Sequence, residues 1–165
     1  MSEFPEHVCP YAAALASHSP HFARQCYDGL NKGDLSSEAL AKEDPFGELT
    51  TASKCYGLKQ RFPDRVLVMT SKRCFMNCRH CTRRWLLDSA EVVESPAALR
   101  RCVAYVKRHP KVRDVLLSGG DILTLPDGKV REFVDAFAAL RQVEIVRVCT
   151  RALAVNPGRV TVRLA

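Results

Sequence analysis

Beyond residue 64 the chain alternates short apolar runs with longer segments in which apolar residues recur every three or four positions. The runs at 66–69 and 115–117 are continuous, as is typical of strands buried on both faces of a sheet. A third run, at 145–148, predicts a third strand. The order strand, helix, strand, helix, strand predicts parallel pairing through right-handed crossovers, and therefore an α/β fold.

The two segments between these strands have the signals of helices. Ser95 and Pro96 are typical of an N-cap and a first helical residue, and Pro110 ends the segment. Asp127 can cap the second helix. The apolar stripes at helical spacing are Leu99, Cys102, Val103 and Val106 in the first helix, and Val130, Phe133, Val134, Phe137 and Leu140 in the second.

Residues 1–64 have a different character. This segment is polar and irregular, with weak helical stretches at 11–17 and 36–42, the second of which Ser37 could cap. We therefore predict two parts: a helical or irregular extension over 1–64, and a partial (β/α) barrel with about three parallel strands over 65–165.

Three cysteines follow the first predicted strand with the spacing Cys74-x3-Cys78-x2-Cys81. A structural zinc ion takes four protein ligands, so a zinc site here would need His80 or a remote cysteine to complete it. A four-iron cluster held by three thiolates instead keeps one iron open to a ligand that is not protein. The other cysteines share no spacing, and we expect them to be small buried apolar side chains: Cys9, Cys26, Cys55, Cys102 and Cys149.

Two further motifs follow the second and third predicted strands. The sequence after the second strand is Ser118-Gly119-Gly120-Asp121, and Thr150-Arg151 follows the third. Because the carboxyl ends of parallel strands meet at one edge of a sheet, all three motifs should share the edge at which α/β proteins bind ligands. Taken alone, residues 118–121 could also be a tight turn.

Composition limits the class of protein. The chain has 165 residues, 47% hydrophobic and 26% charged, with a net charge of +7 and a pI near 9.1. That charge permits a nucleic-acid partner, but one dense group surrounds the cysteines and better suits an anionic cofactor or substrate: Lys72, Arg73, Arg79, Arg83 and Arg84. No run reaches the roughly 18 apolar residues of a membrane span. We expect a cytoplasmic protein with reduced thiols.

The cysteine loop after a first strand resembles that of the radical S-adenosylmethionine enzymes. Blocks at 61–67, 78–84 and 114–121, with matching residues upstream at 44–45 and downstream at 143–151, resemble the lysine 2,3-aminomutase family in particular. The resemblance covers roughly residues 43 to 161. It implies a [4Fe-4S] cluster on Cys74, Cys78 and Cys81, with S-adenosylmethionine chelating the open iron. Electron transfer would cleave that cofactor to a 5′-deoxyadenosyl radical.

The same resemblance implies roles for the other motifs. Asp121 would accept hydrogen bonds from the methionyl ammonium group, and Ser118 lies in the same motif. Gly119 and Gly120 would let the backbone approach the ligand closely. His80 would lie beside the cofactor or cluster. Arg151 could reach an anionic group.

Family members also bind pyridoxal phosphate and an amino acid substrate. Arg61 and Arg65 match positions that would meet the cofactor's phosphate, for which guanidinium groups are suited. Arg83 matches the arginine that pairs with the substrate α-carboxylate. Each of these arginines could instead be a solvated surface charge.

The resemblance implies a radical enzyme that moves an α-amino group to the β-carbon of an amino acid, with a separate reductant for the cluster. A full barrel needs on the order of 200 residues, and roughly 100 follow residue 64. The pyridoxal phosphate lysine and the residues that read the substrate side chain are expected further downstream, so the chain is interpreted as truncated. The alternative is a non-catalytic fragment that binds iron-sulfur or zinc. An open sheet would expose an edge strand, so we expect the isolated chain to be marginally stable, to aggregate or to need a barrel-completing partner. The resemblance also implies a homo-oligomer.

Overall fold

A computed structural model describes residues 5–27, 45–48, 55–87 and 91–164. Its centre is a four-stranded sheet in the order β1-β2-β3-β4. The strands are β1 (Leu58–Phe62), β2 (Arg65–Ser71), β3 (Asp114–Gly119) and β4 (Ile145–Val148). β2, β3 and β4 are parallel, whereas β1 is antiparallel to β2.

The three predicted parallel strands are confirmed, and β1 was missed. The sequence of β1 is Leu-Lys-Gln-Arg-Phe, which has no continuous apolar run, and its pairing comes from a tight connection into β2. The chain therefore has a mixed α/β fold with one antiparallel strand. The sheet includes residues on both sides of position 64, and the division of the chain there stays a prediction.

Two long helices connect the parallel strands, α3 (Pro96–Lys107) and α4 (Asp127–Ala138). The predicted start of α3 is confirmed, because the Ser95 side chain accepts a hydrogen bond from the backbone N–H of Ala98 at 3.1 Å. The predicted cap of α4 is wrong. Pro126 occupies the N-cap position, and Asp127 is instead the first helical residue, where its carboxylate pairs with Arg159 at 2.7 Å.

The main core lies between these helices and one face of the sheet. Val66 and Val68 of β2 and Val115 and Leu117 of β3 are buried there against the predicted helix stripes, with Phe137 fully buried. The opposite face is only partly covered, since Leu67 and Leu116 are half-buried. β4 is an exposed edge strand: the exposed fractions of Ile145 and Val148 are 40% and 41%.

Two short helices precede the sheet, α1 (Pro10–His18) and α2 (Pro20–Cys26). The first confirms the weak helical pattern at 11–17. The pattern predicted at 36–42, with Ser37 as its cap, lies outside the described residues. The last α-helix of the described residues is a single turn, α5 (Ala152–Val155).

The cysteines outside the motif are not uniformly buried. Cys26 and Cys102 are in the core as expected, but Cys9, Cys55 and Cys149 are half-buried. Within the described part of the chain, none of the helices has the length and apolar character that crossing a membrane requires.

Candidate functional site

A cavity of about 310 Å³ lies at the carboxyl end of the parallel strands. It brings together the three sequence motifs that follow those strands, as the parallel arrangement requires. Its lining includes Cys74, Cys78, Cys81, Arg83, Ser118, Gly119, Gly120, Asp121, Cys149, Thr150 and Arg151. Thiols, a glycine backbone and two cationic side chains therefore line one partly open cavity.

The cysteine loop is held from outside by the N-terminal segment. The backbone N–H of Cys9 donates to Phe75 at 2.9 Å, and that of Asn77 donates to His7 at 2.8 Å. On the other side of the loop, the backbone N–H of Arg79 donates to the carbonyl of Gln25 in α2 at 2.9 Å. Residues 5–27 thus support the loop that presents the thiols.

Gly119 and Gly120 are required by a close approach of two backbones. Gly119 has a φ of +107°, and a Cβ at Gly120 would lie 2.3 Å from the carbonyl oxygen of Arg73. The backbone N–H of Gly120 donates to Ser71 at 2.6 Å, and that of Asp121 donates to Arg73 at 2.7 Å. The neighbouring backbone that these glycines accommodate is that of residues 71–73, where the cysteine loop begins. Their predicted approach to a bound cofactor stays a prediction.

The Asp121 carboxylate connects the second motif to the third. It is 4% exposed and accepts hydrogen bonds from the Thr150 hydroxyl at 2.7 and 2.8 Å and from the backbone N–H of Arg151 at 2.8 Å. The backbone N–H of Leu123 donates at 2.9 Å. Most of the acceptor capacity of this carboxylate is therefore used within the protein. Its predicted bond to a ligand ammonium group is not tested by the structure.

Arg151 reaches the cysteine loop. Its Nη1 lies 2.7 Å from the sulfur of Cys78, and its Nη2 donates to the side-chain oxygen of Gln25 at 2.9 Å. The exposed His80 side chain lies beside the cavity, with Nε2 3.5 Å from Nη1 of Arg151. Partial burial of its ring, with the nearby charges of Arg151 and Arg84, lowers the pKa of His80.

Arg83 has a carboxylate partner within the chain. Its Nε and Nη2 donate to the two carboxylate oxygens of Glu48 at 2.6 and 2.7 Å, which is the bidentate geometry that arginine forms with carboxylates. Glu48 is 5% exposed. The sequence predicts that Arg83 binds a substrate carboxylate, and the structure shows a protein carboxylate in that fork.

Arg61 and Arg65 lie away from the cavity. Both are exposed beside the turn that joins β1 to β2: Arg61 lies in β1, and Arg65 is the first residue of β2, roughly 20 Å of strand from the carboxyl end of β2. Arg65 pairs with Asp64 at 3.3 Å, and both guanidinium groups lie over the ring of Phe62. The structure does not bring them to the thiols, and their predicted role at a phosphate stays a prediction.

Two of the three half-buried motif thiols, Cys74 and Cys81, have raised pKa values. Burial, with the nearby Cys81 thiol and Asp121 carboxylate, raises the pKa of Cys74 to about 12, while the Arg151 guanidinium lowers it. Burial also raises the pKa of Cys81. Metal ligation requires thiolates, so binding at this cavity must release protons.

A single metal ion has no preformed site in the part of the chain that the structure describes. No three side chains among its His, Cys, Asp and Glu residues are grouped closely enough to hold one ion. A zinc ion needs each sulfur at about 2.3 Å, whereas a four-iron cluster distributes its thiolates over separate irons. The choice between a cluster and zinc at these three thiols stays a prediction.

Three residues of the site were missed by the sequence reasoning. Gln25 and Glu48 come from distant segments with no recognisable motif, so only tertiary contacts reveal them. Cys149 lines the cavity directly before Thr150. Because Cys149 directly follows the third predicted strand, its position in the sequence could have placed it at the same edge of the sheet as the other motifs.

No family model matches the chain. Curated proteins do match it. It is 37% identical over 131 residues to the L-lysine 2,3-aminomutase of Acetoanaerobium sticklandii, covering 79% of this chain and 31% of that protein. It is 32% identical over 163 residues to the L-lysine 2,3-aminomutase of Methanococcus maripaludis, covering 96% of this chain and 37% of that protein.

A protein named for a different substrate matches as well. The chain is 34% identical over 119 residues to the glutamate 2,3-aminomutase of Clostridioides difficile, covering 72% of this chain and 28% of that protein. The chain spans between 25% and 37% of the length of the curated relatives that it matches.

Proposed function

Because this chain belongs to the lysine 2,3-aminomutase family, we propose that Cys74, Cys78 and Cys81 bind a [4Fe-4S] cluster and that S-adenosylmethionine binds at its open iron. The observation that supports this most is the meeting of the three motifs in one cavity of about 310 Å³. Thiolates are the ligands that iron-sulfur clusters take.

The chemistry of the surrounding residues fits such a group. Cys149 lines the cavity too, but it lies outside the Cys-x3-Cys-x2-Cys motif, directly after β4. In the proposed site Cys149 is not a ligand, so three thiolates leave one iron open. Arg151 adds a positive charge next to a ligand sulfur.

When bound and reduced by a low-potential one-electron donor, the cluster would supply an electron that cleaves S-adenosylmethionine and generates a 5′-deoxyadenosyl radical. The loop at 118–121 would form one wall of that pocket. Thr150 and Asp121 hold the walls together.

We further propose that the substrate is an amino acid whose α-carboxylate takes the place of Glu48 in the fork of Arg83. Migration of its amino group is the activity named for the relatives, and we propose it for the protein of which this sequence forms the matching part. Pyridoxal phosphate, with Arg61 and Arg65 at its phosphate, and closure of the strands into a (β/α) barrel belong to the same proposal.

The test is anaerobic reconstitution of the chain with iron and sulfide. We expect about four irons per chain and a brown chromophore. Dithionite with S-adenosylmethionine should then give 5′-deoxyadenosine, measured by chromatography. Cys78→Ser should lose both the cluster and this product.

Cys149→Ser is the matched control, since it changes a thiol in the same cavity outside the motif. It should retain four irons and cleavage. If Cys149→Ser loses the cluster, the fourth iron has a protein ligand and the proposal of an open iron is wrong. Stoichiometric zinc in place of iron, with no cleavage, would also contradict the proposal.

A further inference from the structure

The charged side chain of Arg151 lies within hydrogen-bonding distance of a motif sulfur. Its Nη1 lies 2.7 Å from Cys78. Its neighbours in the basic group have other partners: Arg83 pairs with Glu48, and Arg84 donates to the carbonyl of Arg79. Arg151 places its guanidinium directly against the sulfur of Cys78.

The side chain of Arg151 is fixed at both ends. Its backbone N–H donates to the buried Asp121 carboxylate at 2.8 Å, which places the start of the side chain at the carboxyl end of β4. Its Nη2 donates to Gln25 at 2.9 Å, which fixes the guanidinium plane. Gln25 is itself positioned, because its backbone carbonyl accepts a bond from Arg79 in the cysteine loop.

A guanidinium in this place has a defined electrostatic effect. It stays charged at every accessible pH and donates in a planar fork. Adding an electron to a cluster adds negative charge, which a nearby cation and a hydrogen bond to a ligand sulfur both stabilise. The reduced state therefore gains more from Arg151 than the oxidised state does.

We infer that Arg151 is a positioning residue that raises the reduction potential of the cluster through the sulfur of Cys78, and that Gln25 of α2 holds it there. The inference rests on the proposed function, since it requires a cluster on Cys78. It also gives the N-terminal segment a role in the chemistry. The electron comes from an external one-electron donor, and only the cluster is reduced in this step.

The experiment is a spectroelectrochemical titration of the reconstituted 165-residue chain, which measures the potential without turnover. At the midpoint potential of the unchanged protein, Arg151→Met should lower the ratio of reduced to oxidised cluster at least tenfold, a shift of 59 mV for one electron. Arg151→Lys should lower the midpoint potential by less, because lysine keeps the positive charge but lacks the planar guanidinium group. Gln25→Ala should shift it in the same direction by a smaller amount.

Arg131→Met is the control, because it removes one positive charge from an exposed position on α4. The cluster in this variant should have the same midpoint potential as the cluster in the unchanged protein. If the unchanged chain forms no cluster, the proposed function fails. If clusters form and Arg151→Met titrates at the original potential, this inference fails while the proposed function stands. Should Arg151→Met not hold a cluster, unchanged potentials in both Arg151→Lys and Gln25→Ala would overturn the inference.

Discussion

The two edges of the parallel sheet differ in the residues that adjoin the strands. At the amino edge, the residues preceding β2, β3 and β4 are Asp64, Arg113 and Glu144. They form exposed ion pairs: Arg113 pairs with Glu144 at 2.9 Å, with side chains 55% and 60% exposed, and its Nε lies 4.0 Å from Asp64. At the carboxyl edge, the residues following the strands converge on half-buried thiols and on the buried carboxylate of Asp121.

The same strands therefore support a solvated charge network at one edge and a buried polar network at the other. Exposed ion pairs contribute little because water already solvates both charges. Buried polar groups are costly to leave without partners. Substitutions at the carboxyl edge should thus have large effects on both stability and binding, and those at the amino edge should have small effects.

The largest effect is expected from Asp121→Ala. It leaves the Thr150 hydroxyl and the N–H groups of Leu123 and Arg151 without their acceptor, at a cost of about 3 kcal/mol. Urea denaturation monitored by circular dichroism measures the loss. A cost below about 1 kcal/mol would show that water replaces the carboxylate and that the network is not buried as described.

Gly120→Ala should come next. Its Cβ would meet the carbonyl oxygen of Arg73 at 2.3 Å, and overpacking of this kind costs about 1–3 kcal/mol. Iron binding should fall too, because the shifted backbone begins the cysteine loop. Gly128→Ala is the matched control: its Cβ meets nothing within 4 Å in α4, so it should stabilise the helix by about 0.5–1 kcal/mol. Equal effects of the two substitutions in urea denaturation would contradict the close approach at Gly120.

At the amino edge, Arg113→Ala should cost less than about 1 kcal/mol. The pair with Glu144 is exposed on both sides, so the loss should diminish further in high salt. Thermal unfolding at low and high ionic strength checks this. If Arg113→Ala lost more stability than Gly120→Ala, the amino edge would contribute more than the carboxyl edge, which would contradict the comparison.

The smallest effect on stability is expected from Arg65→Met, which is better measured as a titration. The hydrogen bond from Arg65 lowers the pKa of Asp64 below its ordinary value of 3.8. The stabilisation is therefore complete above that value and is lost as the pH falls through the lower folded value. NMR titration should show the pKa of Asp64 returning toward 3.8 in Arg65→Met. An unchanged pKa would mean that Arg65 does not form the bond in solution.

Local pattern predicted the parallel strands and α3 well, because continuous apolar runs and the Ser95-Pro96 start are signals contained in short stretches of sequence. It failed at β1, whose polar sequence pairs only because β2 is adjacent. It also misplaced the cap of α4, since Asp127 finds a partner in Arg159, 32 residues later, and Pro126 already occupies the cap position.

The candidate site divides in the same way. Chain direction alone placed the motifs at one edge, because parallel strands all end on the same side. The sequence by itself therefore determined which residues meet: the cysteine loop, the loop at 118–121 and Arg151. Only tertiary structure decided what each of them touches. The contacts of Asp121 with Thr150, of Arg83 with Glu48 and of Arg151 with Gln25 join residues 29 to 126 positions apart in the sequence. Residue spacing does not predict such contacts, because folding brings these segments together.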